Sequence, residues 1–139
     1  MKPCTASVVI VGVWLIAGAY VAQAGQDRSV NVGVYSEDQA ARGQTAFERN
    51  CTNCHDTARF TGAEFVQNWS GKPLADLYVI MRTTMPEDNP GTLRPQQYAD
   101  ILSFFLKLNG FAVGETELTG TDAAMKTVRM EAPSSPVQK

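Results

Sequence analysis

The chain has 139 residues, the length of one domain, and 44% of them are hydrophobic, with six Phe, four Tyr and two Trp available for a core. A formal charge of -2 and a sequence pI of about 5.3 give no basic patch, which excludes nucleic-acid binding. A single histidine excludes bis-imidazole ligation within the chain.

Residues 1 to 24 have the pattern of a secretory signal peptide. Lys2 supplies a basic start, Val8 to Tyr20 is a largely apolar run, and Ala22-Gln23-Ala24 is a small-x-small cleavage site before Gly25. Ala6 to Ala24 is just long enough to stay as an anchor, but the short apolar centre and the Ala-x-Ala end favour cleavage. Cys4 precedes the apolar run and is expected to leave with it. The mature chain then has eleven basic and fourteen acidic residues, net -3, no membrane span and a periplasmic address.

Gly25 to Tyr35 has two glycines and no helical period, which predicts an extended, partly mobile lead-in. Ser36-Glu37-Asp38-Gln39 fits a capping box, with Ser36 as N-cap and Gln39 reaching back. The helix it opens is expected over 37–50, with Ala40, Gly43, Phe47 and Asn50 on one stripe. Gly43 costs about 1 kcal/mol relative to Ala inside a helix. Either another helix approaches closely there, or it is a tolerated surface glycine.

Cys51-Thr52-Asn53-Cys54-His55 follows. Residues three apart on a helical turn present both sulfurs to one face, and Cys-x-x-Cys-His is the pattern by which two thiolates add to porphyrin vinyl groups while the adjacent imidazole binds iron. A zinc site would need four ligands, and no second pair exists, since Cys4 is the only other cysteine. A redox dithiol has no use for the histidine, and a disulfide at this spacing closes a small, strained loop. The reading is one covalently attached haem c.

Residues 56–71 are polar and broken by Gly62, Ser70 and Gly71, with Phe60, Phe65 and Trp69 interleaved, and are expected to wrap the haem edge in short helical turns. A second helix is expected over 73–82, with Leu74, Leu77, Tyr78 and Met81 on its apolar face. Residues 83–95 contain Pro86, Pro90 and Pro95. Pro86 forces Met85 into an extended backbone, and Pro90-Gly91 fits the centre of a type II turn. A third helix is expected over 95–109, capped by Gly110, with Tyr98, Ile101, Leu102, Phe105 and Leu108 facing the core and Phe104 flanking. Residues 111–128 offer one short turn from Asp122, and the Pro/Ser-rich stretch 129–139 is expected to be disordered. The folded domain is thus expected over 36–128.

The sixth iron position is filled by Met, by a rarer ligand such as Lys or Tyr, or is left open. Met81 has the place of a core filler, and Met125 and Met130 fall in the weakly patterned tail. Met85 stands on a proline-stiffened loop thirty residues after His55, which suits a weak thioether ligand. His55 and Met85 are therefore the expected metal ligands. With both axial positions filled, such a haem passes single electrons and offers no vacancy for substrate. No catalytic residue is assigned, and the protein is expected to be an electron carrier rather than an enzyme.

The order of a helix with Gly43 and Phe47, then CTNCH, then Thr84-Met85-Pro86, then a helix with Ile101 and Phe104, resembles small class I c-type cytochromes over residues 36 to 110. The resemblance implies an all-α fold of three to four helices wrapped around one covalently bound haem. It also implies that Gly43 lets Phe104 or Phe105 approach the first helix. The longer string from Met85 through Gln96-Gln97-Tyr98-Ala99-Asp100, with Asn109-Gly110-Phe111, is similar to cytochrome subunits and domains of quinoprotein (PQQ-dependent) dehydrogenases. Trp69 before Gly71-Lys72-Pro73 fits that group, its indole donating to a haem propionate or simply packing in the core. Implied partners are a dehydrogenase donor and a cytochrome or oxidase acceptor, met by a monomer in transient complexes. Alternatives are a fixed dehydrogenase subunit, or a haem enzyme or sensor with an open sixth position. One departure stands out: residues 55–71 hold no proline to supply the carbonyl that usually accepts from the ligand histidine.

Overall fold

A computed structural model describes residues 27–133; the expected signal peptide and residues 134–139 lie outside the described residues. Five α-helices and one two-stranded pair make up the architecture: β1 (Arg28–Ser29), α1 (Glu37–Asn50), α2 (Gly62–Trp69), α3 (Leu74–Thr84), α4 (Pro95–Leu108), α5 (Asp122–Lys126) and β2 (Val128–Arg129). This mostly helical arrangement is consistent with the expected all-α fold, with five α-helices where three to four were expected.

α1 starts where expected, with the Ser36 hydroxyl accepting from the Gln39 amide at 3.1 Å. The Gln39 side chain does not close the box. It is fully buried and donates to Asp100 Oδ1 (3.1 Å) and the Leu118 carbonyl (2.8 Å), while its Oε1 accepts from the Leu118 amide (2.8 Å). A partner in the core displaces the local one because a buried amide left unpaired costs more than an open box at the surface.

α1 packs chiefly against α4. A Cβ at Gly43 would lie 1.8 Å from the Asp100 carbonyl oxygen. The close-approach reading of Gly43 holds, but what approaches is the α4 backbone, not the ring of Phe104 or Phe105. Those rings meet Phe47 instead, at centroid separations of 5.8 and 5.6 Å. Residues 98–106 of α4 are buried all round, because the segment around Leu118 covers the side that a surface helix would leave wet. Asp100, buried there, accepts from Gln39 and Gln96 (both 3.1 Å) and pairs with Arg42 (3.4 Å), which also reaches Glu117.

Both ends of the described chain depart from expectation. The lead-in is packed, with Val30, Val34 and Tyr35 at 1% exposure or less. The tail is ordered through its first residues: β2 pairs parallel with β1, the Met130 amide donates to the Lys72 carbonyl (2.9 Å), and the Gly71 amide donates to Met130 (2.7 Å). Val128 and Met130 point inward and Arg129 outward, a period of two too short to be read locally.

Tyr35 donates its hydroxyl to the Phe111 carbonyl at 2.8 Å. Burial, aided by the charge of Glu37, pushes its pKa from 10.0 up to about 12. The native state thus keeps a proton that the unfolded chain releases near pH 10. This contribution is whole below pH 10 and is lost as pH rises to 12, a fall of about 2–3 kcal/mol. Denaturant midpoints at pH 9 and pH 12 are expected to converge further in Tyr35→Phe than in the wild type.

Candidate functional site

α1 stops at Asn50, and the chain turns at once. The Cys51 amide donates to Phe47 (2.8 Å), and the Cys54 and His55 amides both donate to the Cys51 carbonyl (3.1 and 2.9 Å). This turn holds Cys51 half-buried and Cys54 exposed, both as free thiols. Burial pushes the Cys51 thiol pKa up, the opposite of what a reactive dithiol needs. Among the described residues no group of three His, Cys, Asp or Glu is arranged to hold a metal ion by itself.

Met85 comes from the other end of the site. α3 runs to Thr84, two residues past its expected end, and Met85 caps it in an extended conformation (φ -127°, ψ 148°) as the following proline requires. Tyr98 of α4 donates its hydroxyl to the Met85 carbonyl at 2.7 Å, so the last residue before Pro86 is held to the core. Gly91 takes φ +78°, the left-handed value that the second central position of a type II turn demands.

These segments enclose one cavity of about 820 Å³, within the range of cofactor sites. Cys51, Cys54, His55, Trp69 and Met85 all line it, so the structure brings together every residue singled out in the sequence. Its apolar walls include Phe47, Phe65, Leu77, Ile101 and Phe105, while the exposed side chains of Arg59, Glu64, Glu87 and Asp88 stand on its charged border. Met81 also faces it, 9% exposed, one helical turn before Met85. Met125 and Met130, expected in a loose tail, are instead 0% and 1% exposed in the core, and neither lines the cavity. Trp69 is half-buried at the end of α2, with Lys72 Nζ 5.1 Å from its ring centroid. Two thiols three residues apart, an imidazole, a thioether and an apolar wall are the donor set that fits a covalently held haem.

Residues 38–105 match the family model described as cytochrome C oxidase, cbb3-type, subunit III. Over these residues the chain is similar to a small c-type cytochrome domain. No curated protein and no solved structure matches it significantly. The matched span begins in the first turn of α1 and ends in α4, so it includes both cysteines, His55, Trp69 and Met85. Such a domain carries covalently bound haem c, transfers electrons and meets redox partners. No helix among the described residues is long and apolar enough to cross a membrane.

Some residues that shape the site carry no chemical signature in the sequence. Tyr98 reads as one more apolar-face residue, and only its hydroxyl's partner shows that it tethers Met85. Asn109 reads as a helix end, yet its side chain ties α4 to the segment after His55. A buried asparagine beside a C-cap glycine is the one hint available beforehand.

Proposed function

We propose that this protein is an exported, periplasmic, monohaem electron carrier with His55 and Met85 as axial ligands. Its electrons come from a dehydrogenase of the quinoprotein class and go to a downstream cytochrome or terminal oxidase. The observation that carries this reading is Met85, tethered by Tyr98, on the wall of the same cavity as Cys51, Cys54 and the chain's single histidine.

A haem held here supplies a one-electron ferric/ferrous couple. Cys51 and Cys54 would hold it through thioethers, and the His55 imidazole and the Met85 sulfur would ligate its iron, which would leave no vacancy for oxygen or substrate. The soft sulfur and the apolar wall favour the reduced state. Phe47, Phe65, Leu77 and Phe105 exclude water, and the tether from Tyr98 lowers the entropy lost when a weak ligand is held. Trp69 lines the same wall, where its indole N–H would donate to a propionate or its ring would simply pack against the core.

The exposed large hydrophobic residues among those described are Val32, Ile80 and Val113, of which Ile80 lines the cavity. A scatter of three supports a small, transient redox interface over the broad apolar face of a permanent subunit. The ferric protein is expected to show a low-spin spectrum with the far-red sulfur-to-iron charge-transfer band, and a pyridine haemochrome assay to give one haem per chain. A high-spin ferric spectrum lacking that band would overturn the carrier reading and leave a haem enzyme or sensor.

A further inference from the structure

The ligand histidine poses a question that the described chain answers in an unusual way. A metal-bound imidazole is ordinarily fixed by a hydrogen bond from its second nitrogen. Here His55 Nδ1 is buried and has no hydrogen-bond partner among the described residues, and residues 55–71 contain no proline. What does meet the imidazole is the ring of Phe60, edge to face, with centroids 5.6 Å apart and planes at 80°.

Phe60 is itself held on several sides. Its ring stacks on Phe105 at 4.3 Å with planes 6° apart, and meets Phe47 (5.6 Å, 83°) and Phe65 (6.4 Å, 80°) at its edges. Its backbone is fixed by Asn109, 2% exposed, whose Nδ2 donates to both the Phe60 and Phe105 carbonyls (2.8 Å each) and whose Oδ1 accepts from the Gly62 amide (2.9 Å). One side-chain amide thus ties together, by their carbonyls, the two residues whose rings are stacked. Two separate features, ring packing and amide bonding, converge on the same element beside the imidazole.

We propose that Phe60 is the positioning residue that sets the plane of the His55 ring, and that Asn109 holds Phe60 in register for this task. The inference rests on the reading of His55 as an iron ligand. A ring fixed by packing alone has few alternative orientations when the packing is rigid, and the quadrupole of Phe60 prefers the edge-to-face geometry seen. The orientation of the ligand plane in turn sets how unpaired spin is distributed over the four haem methyl groups of the ferric protein.

The test uses the full holoprotein and compares the haem-methyl proton resonances of the ferric state in Phe60→Leu, Asn109→Asp and Phe60→Tyr. Phe60→Leu removes the ring, and Asn109→Asp keeps Oδ1 while losing both donated bonds. Both are expected to change the order or spread of the four resonances, with the far-red charge-transfer band retained because the methionine side is untouched. Phe60→Tyr keeps the ring and is expected to keep the wild-type pattern. The double variant is expected to change the pattern no further than Phe60→Leu, since the two residues act through one contact. Phe104→Leu, a core deletion with no contact to the His55 ring, should lower stability and leave the pattern alone. An unchanged pattern in both Phe60→Leu and Asn109→Asp would overturn the proposal, and so would equal changes in the Phe104→Leu control. A wild-type protein with no low-spin iron would overturn the ligand reading itself, and with it this inference, before any variant is compared.

Discussion

Met85→Ala is expected to abolish the far-red charge-transfer band of the ferric protein and to lower its reduction potential by a sizeable part of the roughly 0.8 V span that axial ligands command. The direction follows from ligand softness: a thioether stabilises the ferrous state, and water or a vacant position in its place does not. Spectroelectrochemical titration of the variant against the wild type measures both effects. The fold should survive, because Met85 caps α3 in an extended conformation and is half-exposed. Met81 is the informative competitor, since it lines the same cavity one turn earlier. An unchanged band in Met85→Ala would assign the ligand to Met81, and with it a site closed from within α3 instead of from the proline loop.

Gly43→Ala is expected to destabilise the folded holoprotein by about 3 kcal/mol, with the effect read as a fall in the denaturant midpoint. The sign is the decisive quantity. At an exposed helical position the same change would stabilise by about 1 kcal/mol, because Ala is the better helix former. Here the added methyl would meet the Asp100 carbonyl oxygen at 1.8 Å and the Ile101 amide nitrogen at 3.0 Å. Both are backbone atoms inside α4, so neither can turn away as a side-chain end would. Relief requires α1 and α4 to separate, which loosens Phe47 against Phe104 and Phe105 and disturbs the wall of the cavity. A midpoint that rises in Gly43→Ala would show that the helices do not cross this closely.

The elements written in short-range signals were legible in the sequence. α1 begins after Ser36 and ends at Asn50 as expected, and α4 runs from Pro95 to the residue before Asn109, with Gly110 in the left-handed region. Cys51, Cys54 and His55 are consecutive enough to be recognised by spacing, and Met85 by the prolines around it. The described parts of the lead-in and the tail differ from expectation because they pair with each other. Arg28 pairs with Val128 across 100 residues, and no local pattern announces a partner so distant. The short helical turns expected over residues 56–71 are present, and the longer of them, α2, buries Phe65 and Val66 against the core.

By itself, then, the sequence determined the chemistry: a paired thiol motif, one imidazole and a thioether on a stiff loop, each defined by neighbours within a few residues. The tertiary structure decided how that chemistry is held. It placed Met125 and Met130 in the core and away from the cavity, brought the α4 backbone onto Gly43, tied Met85 to Tyr98, and set Phe60 against the His55 ring under the clamp of Asn109. Those outcomes depend on contacts between residues far apart in the chain, whose energies exist only after the helices have packed.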